Sequence, residues 1–260
     1  MKKQTIKITV AGIRYDISIC YRPASKDLIL FLHGLGCSKD SFRNVWDHND
    51  FKEHSLLSFD LLGFGHSAKP DEFTYSVEDH AKVCEAVVRC FPENRLHIVA
   101  HSMGGAIGLL FSDDFLDSVI SFVNVEGNLI SEDCGRISRK TVSVAYDVFR
   151  RELFPDFQSR LETEEHLHFS LDMVSPLAFY RSSQSLVVWS DSGKLLERFR
   201  HLKCKKAYFY GEQNARMKVL ACLDNIEKRA ISKSGHFAMN DNPGGFYSEL
   251  YEFLFPMPMS

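Results

Sequence analysis

The stretch Leu96-His97-Ile98-Val99-Ala100-His101-Ser102-Met103-Gly104-Gly105-Ala106 decides how the chain reads. The apolar run 95–100 has strand character, and 104–111 has the composition of a buried helix. Ser102 therefore stands on the connection between a strand and a helix. Small residues lie two positions before it (Ala100) and two positions after it (Gly104). A turn this sharp presses its flanking backbone together and lifts the serine hydroxyl above the end of a sheet. The helix that follows puts partial positive charge beneath that hydroxyl. Ala100 is a mild departure, because the usual nucleophile turn carries glycine there.

Outward from this turn, short apolar strands alternate with helical stretches. Strands are expected at 26–32, 54–59, 95–100 and 118–125, and again at 206–210 and 226–231. Helices are expected at 38–47, at 76–91 with Ser76 as N-cap and Pro92 as the stop, and from Pro243 to about 255. Near-continuous apolar strands separated by helices imply a mostly parallel sheet covered on both faces. The alternating segments 4–10 and 13–20, joined at Ala11-Gly12, read as a hairpin prefix. From 131 to 190 the pattern is helical. An amphipathic helix is expected at 139–153 and another at 163–173. A third opens at Ser175-Pro176, with Pro at the first helical position, and Gly193 marks the end. The domain reading is a core of 1–130 and 191–260 with a helical insertion at 131–190.

The 260 residues are 45% hydrophobic and 25% charged, with a net charge of −3, the composition of an ordinary globular domain. No basic stripe points to nucleic acid, and no apolar run reaches the roughly 20 residues of a membrane span. Lys2 and Lys3 precede alternating residues rather than a continuous apolar segment, unlike a secretory leader. The seven cysteines are odd in number, widely spaced and without a CxxC pair, which argues against a disulfide framework or a zinc site. A cytoplasmic location and no metal or cofactor are the corresponding expectations.

A serine in such a turn needs an oxyanion hole and a base. His33-Gly34-Leu35-Gly36 follows the strand 26–32, and its turn can aim a backbone amide at the space above Ser102. The amides of Leu35 and Met103 are the expected donors. Of the eleven histidines, His236 in Ser234-Gly235-His236-Phe237 lies just past the final strand, where open α/β sheets collect their ligands. It is the expected base. An ordinary imidazole titrates near 6.5, so it can accept and return a proton at neutral pH. His33, Gly34, Phe64, His101 and Phe237 are the expected pocket residues, and His33 is also expected to order its own turn by hydrogen bonds.

Taken together, HGLG at 33–36, DLLGFGHS at 60–67, AHSMGG at 100–105 and SGHF at 234–237 followed by Asn242-Pro243 resemble the α/β-hydrolase superfamily. The likeness is to its cap-bearing esterase, lipase and haloperoxidase-like branch. The resemblance implies an eight-stranded, mostly parallel sheet with helices on both faces and a helical cap after strand six. It also implies a Ser–His–acid triad without a cofactor. The family usually carries its acid shortly after strand seven, where this chain has Tyr210-Gly211-Glu212-Gln213-Asn214, an amide in the carboxylate's slot. The resemblance supports an alternative after strand six, where Glu126 stands. Glu212 is the rival, followed by Asp191 and Asp224.

The expected activity is serine-dependent hydrolysis of a small or medium acyl ester, with Ser102 as nucleophile, His236 as base and Glu126 as acid. Apolar residues of the insertion, among them Phe149, Leu153, Phe154, Phe157, Leu167, Phe169, Met173 and Val174, either line an acyl pocket or pack the insertion against itself. The same triad could act on an amide, thioester or carbon–carbon bond. A ligand-sensing or interaction protein could also reuse the fold.

Overall fold

Leu28, Leu30 and Leu32 alternate with Ile29 and Phe31 along one strand, and this two-residue period sorts them onto opposite sides of a sheet. The computed structural model describes residues 2–24, 26–91, 95–164 and 169–256. Its strands are β1 (Lys2–Val10), β2 (Ile13–Arg22), β3 (Lys26–Leu32), β4 (His54–Phe59), β5 (Leu96–His101), β6 (Val119–Val125), β7 (Lys205–Gly211) and β8 (Glu227–Ile231). They form one sheet in the order β1-β2-β4-β3-β5-β6-β7-β8. β2 runs antiparallel to β1 and β4, and β3 through β8 are mutually parallel. The hairpin turns at Ala11 (φ 50°) and Gly12 (φ 81°), the pair of positive φ values that matches strand twist in a two-residue connection.

On one face, Leu28, Leu30, Leu32, Ile98 and Tyr208 pack under the helices Val77–Val88, Met103–Leu109 and Lys194–His201. On the other, Ile29, Phe31, Val99, Val123 and Phe209 meet Phe42, Trp46 and the helix Pro243–Leu254. Each fully buried Phe or Leu removed from water contributes about 1.5–3 kcal/mol.

Capping follows the sequence signals. Ser76 Oγ accepts the Asp79 amide at 3.1 Å, Ser175 Oγ that of Ala178 at 3.3 Å, and Asn242 Oδ1 that of Gly245 at 3.0 Å. The helix after Ser76 ends at Val88, and Pro92 lies outside the described residues.

Two helical expectations between β6 and β7 need correction. The stretch 139–153 is not one helix. It divides into Arg136–Val142, Tyr146–Val148 and a π-helical turn at Phe149–Leu153, followed by Phe154–Glu164. Ala145 is extended, with ψ 153°, and breaks the first helix. The wider turn brings Phe149 and Phe154, five residues apart, onto a common partner, with both rings within 5.8 Å of Phe179. Of the second stretch, 163–173, the first two residues end the helix Phe154–Glu164. Residues 165–168 lie outside the described residues, and Leu171–Met173 forms only a 3₁₀ turn.

The loop after β4 is held by a charge pair out of water. Lys39 Nζ lies 2.6 Å from Asp60 Oδ2, with side-chain exposures of 1% and 0%. Asp60 also accepts the amides of Lys39 and His66 at 2.7 and 2.9 Å. A Cβ on Gly65 would sit 2.3 Å from the Asp60 carboxyl carbon, so this position requires glycine. Lys39→Met keeps the volume but strands a buried carboxylate. It should cost about 3–5 kcal/mol in urea unfolding, and a loss under 1 kcal/mol would mean that water reaches Asp60.

Candidate active site

Ser102 terminates β5 with φ 52° and ψ −122°, a conformation that a non-glycine residue adopts only under strain. The neighbouring glycines explain how the turn fits. A Cβ on Gly104 would lie 2.6 Å from the Leu32 carbonyl oxygen, and one on Gly105 would lie 2.9 Å from Gly127 Cα. The strand-to-helix connection is thus wedged between the ends of β3 and β6. A side chain on Gly34 would meet Ser102 Cβ at 3.0 Å and His101 Nδ1 at 3.1 Å, so the loop after β3 also presses on the serine turn. Neither the Leu35 nor the Met103 amide donates a hydrogen bond to a described residue.

Glu126 directly follows β6 and has φ 43°. It is 4% exposed, and its carboxylate is surrounded by donors. The Gly211 amide reaches Oε1 at 2.8 Å. Asn214 Nδ2 reaches Oε1 at 2.9 Å and Oε2 at 3.0 Å, and His236 Nδ1 lies 2.8 Å from Oε2. Burial raises the carboxyl's pKa, but these partners outweigh burial and hold it below the ordinary glutamate range. An ionised carboxylate only accepts, so His236 carries its proton on Nδ1 and leaves Nε2 with the lone pair.

His101, beside the serine, works from the opposite side. Its Nε2 donates to the His236 carbonyl at 2.9 Å, and the two rings lie 4.6 Å apart. The loop after β8 is therefore tied to the end of β5 by its backbone and to the end of β6 by its side chain.

Ser102, Glu126, His101 and His236 all line one cavity of 570 Å³, within the usual span of small-molecule sites. Leu35, Ile137, Phe169, Leu186, Met217 and Phe237 give it apolar walls, and Asn128, Glu132 and Asp133 a polar side. Asp133 has its pKa pushed up to about 6 by burial, even though the amides of Leu129 and Ile130 donate to it. No helix among the described residues is long and apolar enough to cross a membrane. Among the described residues no group of three or more metal-binding side chains occurs, and none of the seven cysteines is in a disulfide.

A family model described as the α/β-hydrolase fold matches residues 27–243. The chain belongs to this family. Among curated proteins it is 33% identical, over 123 residues, to the probable lysophospholipase BODYGUARD 4 of Arabidopsis thaliana. That match covers 43% of this chain and 28% of the relative, so the chain spans about 28% of that relative's length. Among solved structures, a bromoperoxidase from Bacillus anthracis superposes with TM-score 0.77 at 15% identity, covering 96% of this chain and 99% of that one. A thermophilic esterase from Thermogutta terrifontis superposes with TM-score 0.72 at 14% identity, covering 98% of each. These likenesses establish the α/β-hydrolase fold.

Within this family framework the expected site residues divide. Ser102, His236, Glu126, Leu35, His101 and Phe237 meet at the cavity. His33 does not line it. It is fully buried, with Nδ1 on the Gly34 carbonyl at 2.8 Å and Nε2 accepting the Leu61 amide at 3.1 Å, so it ties two loops together. Phe64 is likewise fully buried, edge-on to His33 at 5.7 Å. Gly34 and Met103 lie beside the serine turn without lining the cavity. The rival acids fall elsewhere. Glu212 accepts the Lys233 amide, Asp191 pairs with Arg139 and Ser131, and Asp224 is exposed. Phe149, Phe154 and Phe157 pack against Phe179 within the helical segment, while Phe169 reaches the cavity and meets Phe237 at 5.0 Å. Leu167 lies outside the described residues. Sequence reasoning missed Asn214 as a donor to Glu126, and missed Ile137 and Leu186 as walls. Only the first left a signal, the amide standing in the acid's usual slot.

Proposed function

We propose that the protein is a serine hydrolase of acyl esters, working through an acyl-enzyme with Ser102 as nucleophile, His236 as base and Glu126 as acid. The observation that carries this reading is the 2.8 Å contact between Glu126 and His236 Nδ1 on the rim of the cavity that Ser102 also lines. Ser102 Oγ attacks the acyl carbon while His236 Nε2 takes its proton. The carbonyl oxygen becomes an oxyanion opposite the amides of Leu35 and Met103. His236 returns the proton to the leaving alcohol, and the same nitrogen then activates the water that releases the acid. Catalytic hydrogen bonds commonly tighten only when substrate seats, so Ser102 Oγ meets His236 in the Michaelis complex.

Helices 131–190 act as the cap, and through Ile137, Phe169 and Leu186 they supply the apolar wall that suits a small or medium acyl chain. The curated relative's name, probable lysophospholipase, and the solved esterase agree with ester cleavage. A fluorophosphonate probe should label the protein once, at Ser102, with loss of the label in Ser102→Ala by intact mass. An unlabelled wild-type protein, or a label on another residue, would overturn the reading.

A further inference from the structure

We propose that Asn214 is a positioning residue that keeps Glu126 ionised and aimed at His236. This inference rests on the triad proposed above. Glu126 Oε2 faces His236, but a carboxylate on a single strand end could turn about its own axis. Asn214 prevents this by donating to both oxygens, at 2.9 and 3.0 Å, while the Gly211 amide fixes Oε1 at 2.8 Å. Gly211 ends β7 and Asn214 stands in the turn just after it, so the acid after β6 is held by the neighbouring strand and its turn. In this buried pocket burial disfavours the charge, and Asp133 adds a neighbouring carboxyl. The Tyr208 hydroxyl is also close enough to feel Glu126. His236, Asn214 and Gly211 are the groups that compensate.

The identities of 126 and 214 are therefore coupled. A carboxylate at 214 would place its oxygens about 3 Å from those of Glu126, and two anions in one site cannot both stay ionised, so one pKa would rise steeply. With the acid at 126, the post-β7 slot requires a neutral donor. The asparagine that looks like a lost catalytic residue is the partner required by the relocated acid.

The test compares Asn214→Ala and Asn214→Asp with wild type and Ser102→Ala on a p-nitrophenyl ester across roughly pH 5 to 9. Asn214→Ala should lower kcat roughly 10- to 100-fold, the scale of losing a hydrogen bond to a charged group, with KM unchanged. Its acid limb should move to higher pH, and Asn214→Asp should move that limb further. A merely structural asparagine would change melting temperature without moving the limb. Unaltered kcat and pH profiles in both variants, with Ser102→Ala inactive, would overturn the role of Asn214 and leave the hydrolase reading standing. If Ser102→Ala is fully active, the hydrolase reading fails, and the His236 Nδ1 proton seen by NMR decides the Asn214 role alone. Its loss or upfield shift in Asn214→Ala supports the role, and an unchanged resonance overturns it.

Discussion

Ser102→Ala should reduce kcat on a p-nitrophenyl ester by roughly a millionfold, with KM within a few-fold of wild type. Removing a serine nucleophile that acts as a unit with its base costs about as much as removing the whole triad. The cavity walls and the Leu35 and Met103 amides remain, so a residue of roughly 10³- to 10⁴-fold catalysis over water should survive from binding and oxyanion stabilisation. The same substitution should not weaken the fold. At φ 52° and ψ −122° either side chain is strained, and Ser102 Oγ makes no capping hydrogen bond to the helix that follows, so alanine forfeits none. Pre-steady-state kinetics of wild type with substrate in excess should show a burst of p-nitrophenol if the acyl-enzyme accumulates. A Ser102→Ala protein with more than a hundredth of wild-type kcat would mean that the chemistry runs through another group.

The sheet was readable from sequence because the central strands are rich in apolar residues, with β4 and β5 buried along their whole length. The expected strands at 26–32 and 54–59 coincide with β3 and β4. The serine turn was readable for the same reason that it needs glycine: the Leu32 carbonyl oxygen lies 2.6 Å from where a Gly104 Cβ would stand. Glu126 could be placed because it closes a strand at the same sheet edge as Ser102. The helical segment was much less legible. Its breaks at Ala145 and in the π-turn answer to packing against Phe179, and no local propensity encodes that partner. Phe64, and His33 as a pocket wall though not as the residue that orders its own turn, misled for a related reason. Motif residues next to a site suggest pocket walls, whereas the hydrogen bonds of His33 to Gly34 and Leu61 show a residue spent on shaping two loops. The role of Asn214 could not be read locally, since the carboxylate that it holds lies on another strand.

Glu126→Gln should lower kcat about 10⁴-fold, and the cause is tautomer rather than lost packing. The Gly211 amide and Asn214 Nδ2 both donate to Oε1, so the glutamine's carbonyl oxygen must take that place. Its amide nitrogen then occupies the Oε2 position, facing His236 Nδ1 across 2.8 Å. Two donors cannot share that contact, so His236 shifts its proton to Nε2 and loses the lone pair that the base needs. The Asn214 contact to Oε2 at 3.0 Å becomes donor against donor as well. The Glu212 carboxylate accepts the Lys233 amide, and Glu212→Gln should stay within about twofold of wild type on the same assay. The pair of variants separates the candidates, because a large loss in Glu212→Gln with Glu126→Gln near normal would move the acid to the end of β7. A stability readout has a fixed sign. The Glu126 carboxyl titrates lower folded than unfolded, so its contribution is complete above the unfolded value of about 4.3 and fades as pH falls through the folded one. Urea midpoints of wild type and Glu126→Gln should therefore lie furthest apart at neutral pH and converge below about pH 4.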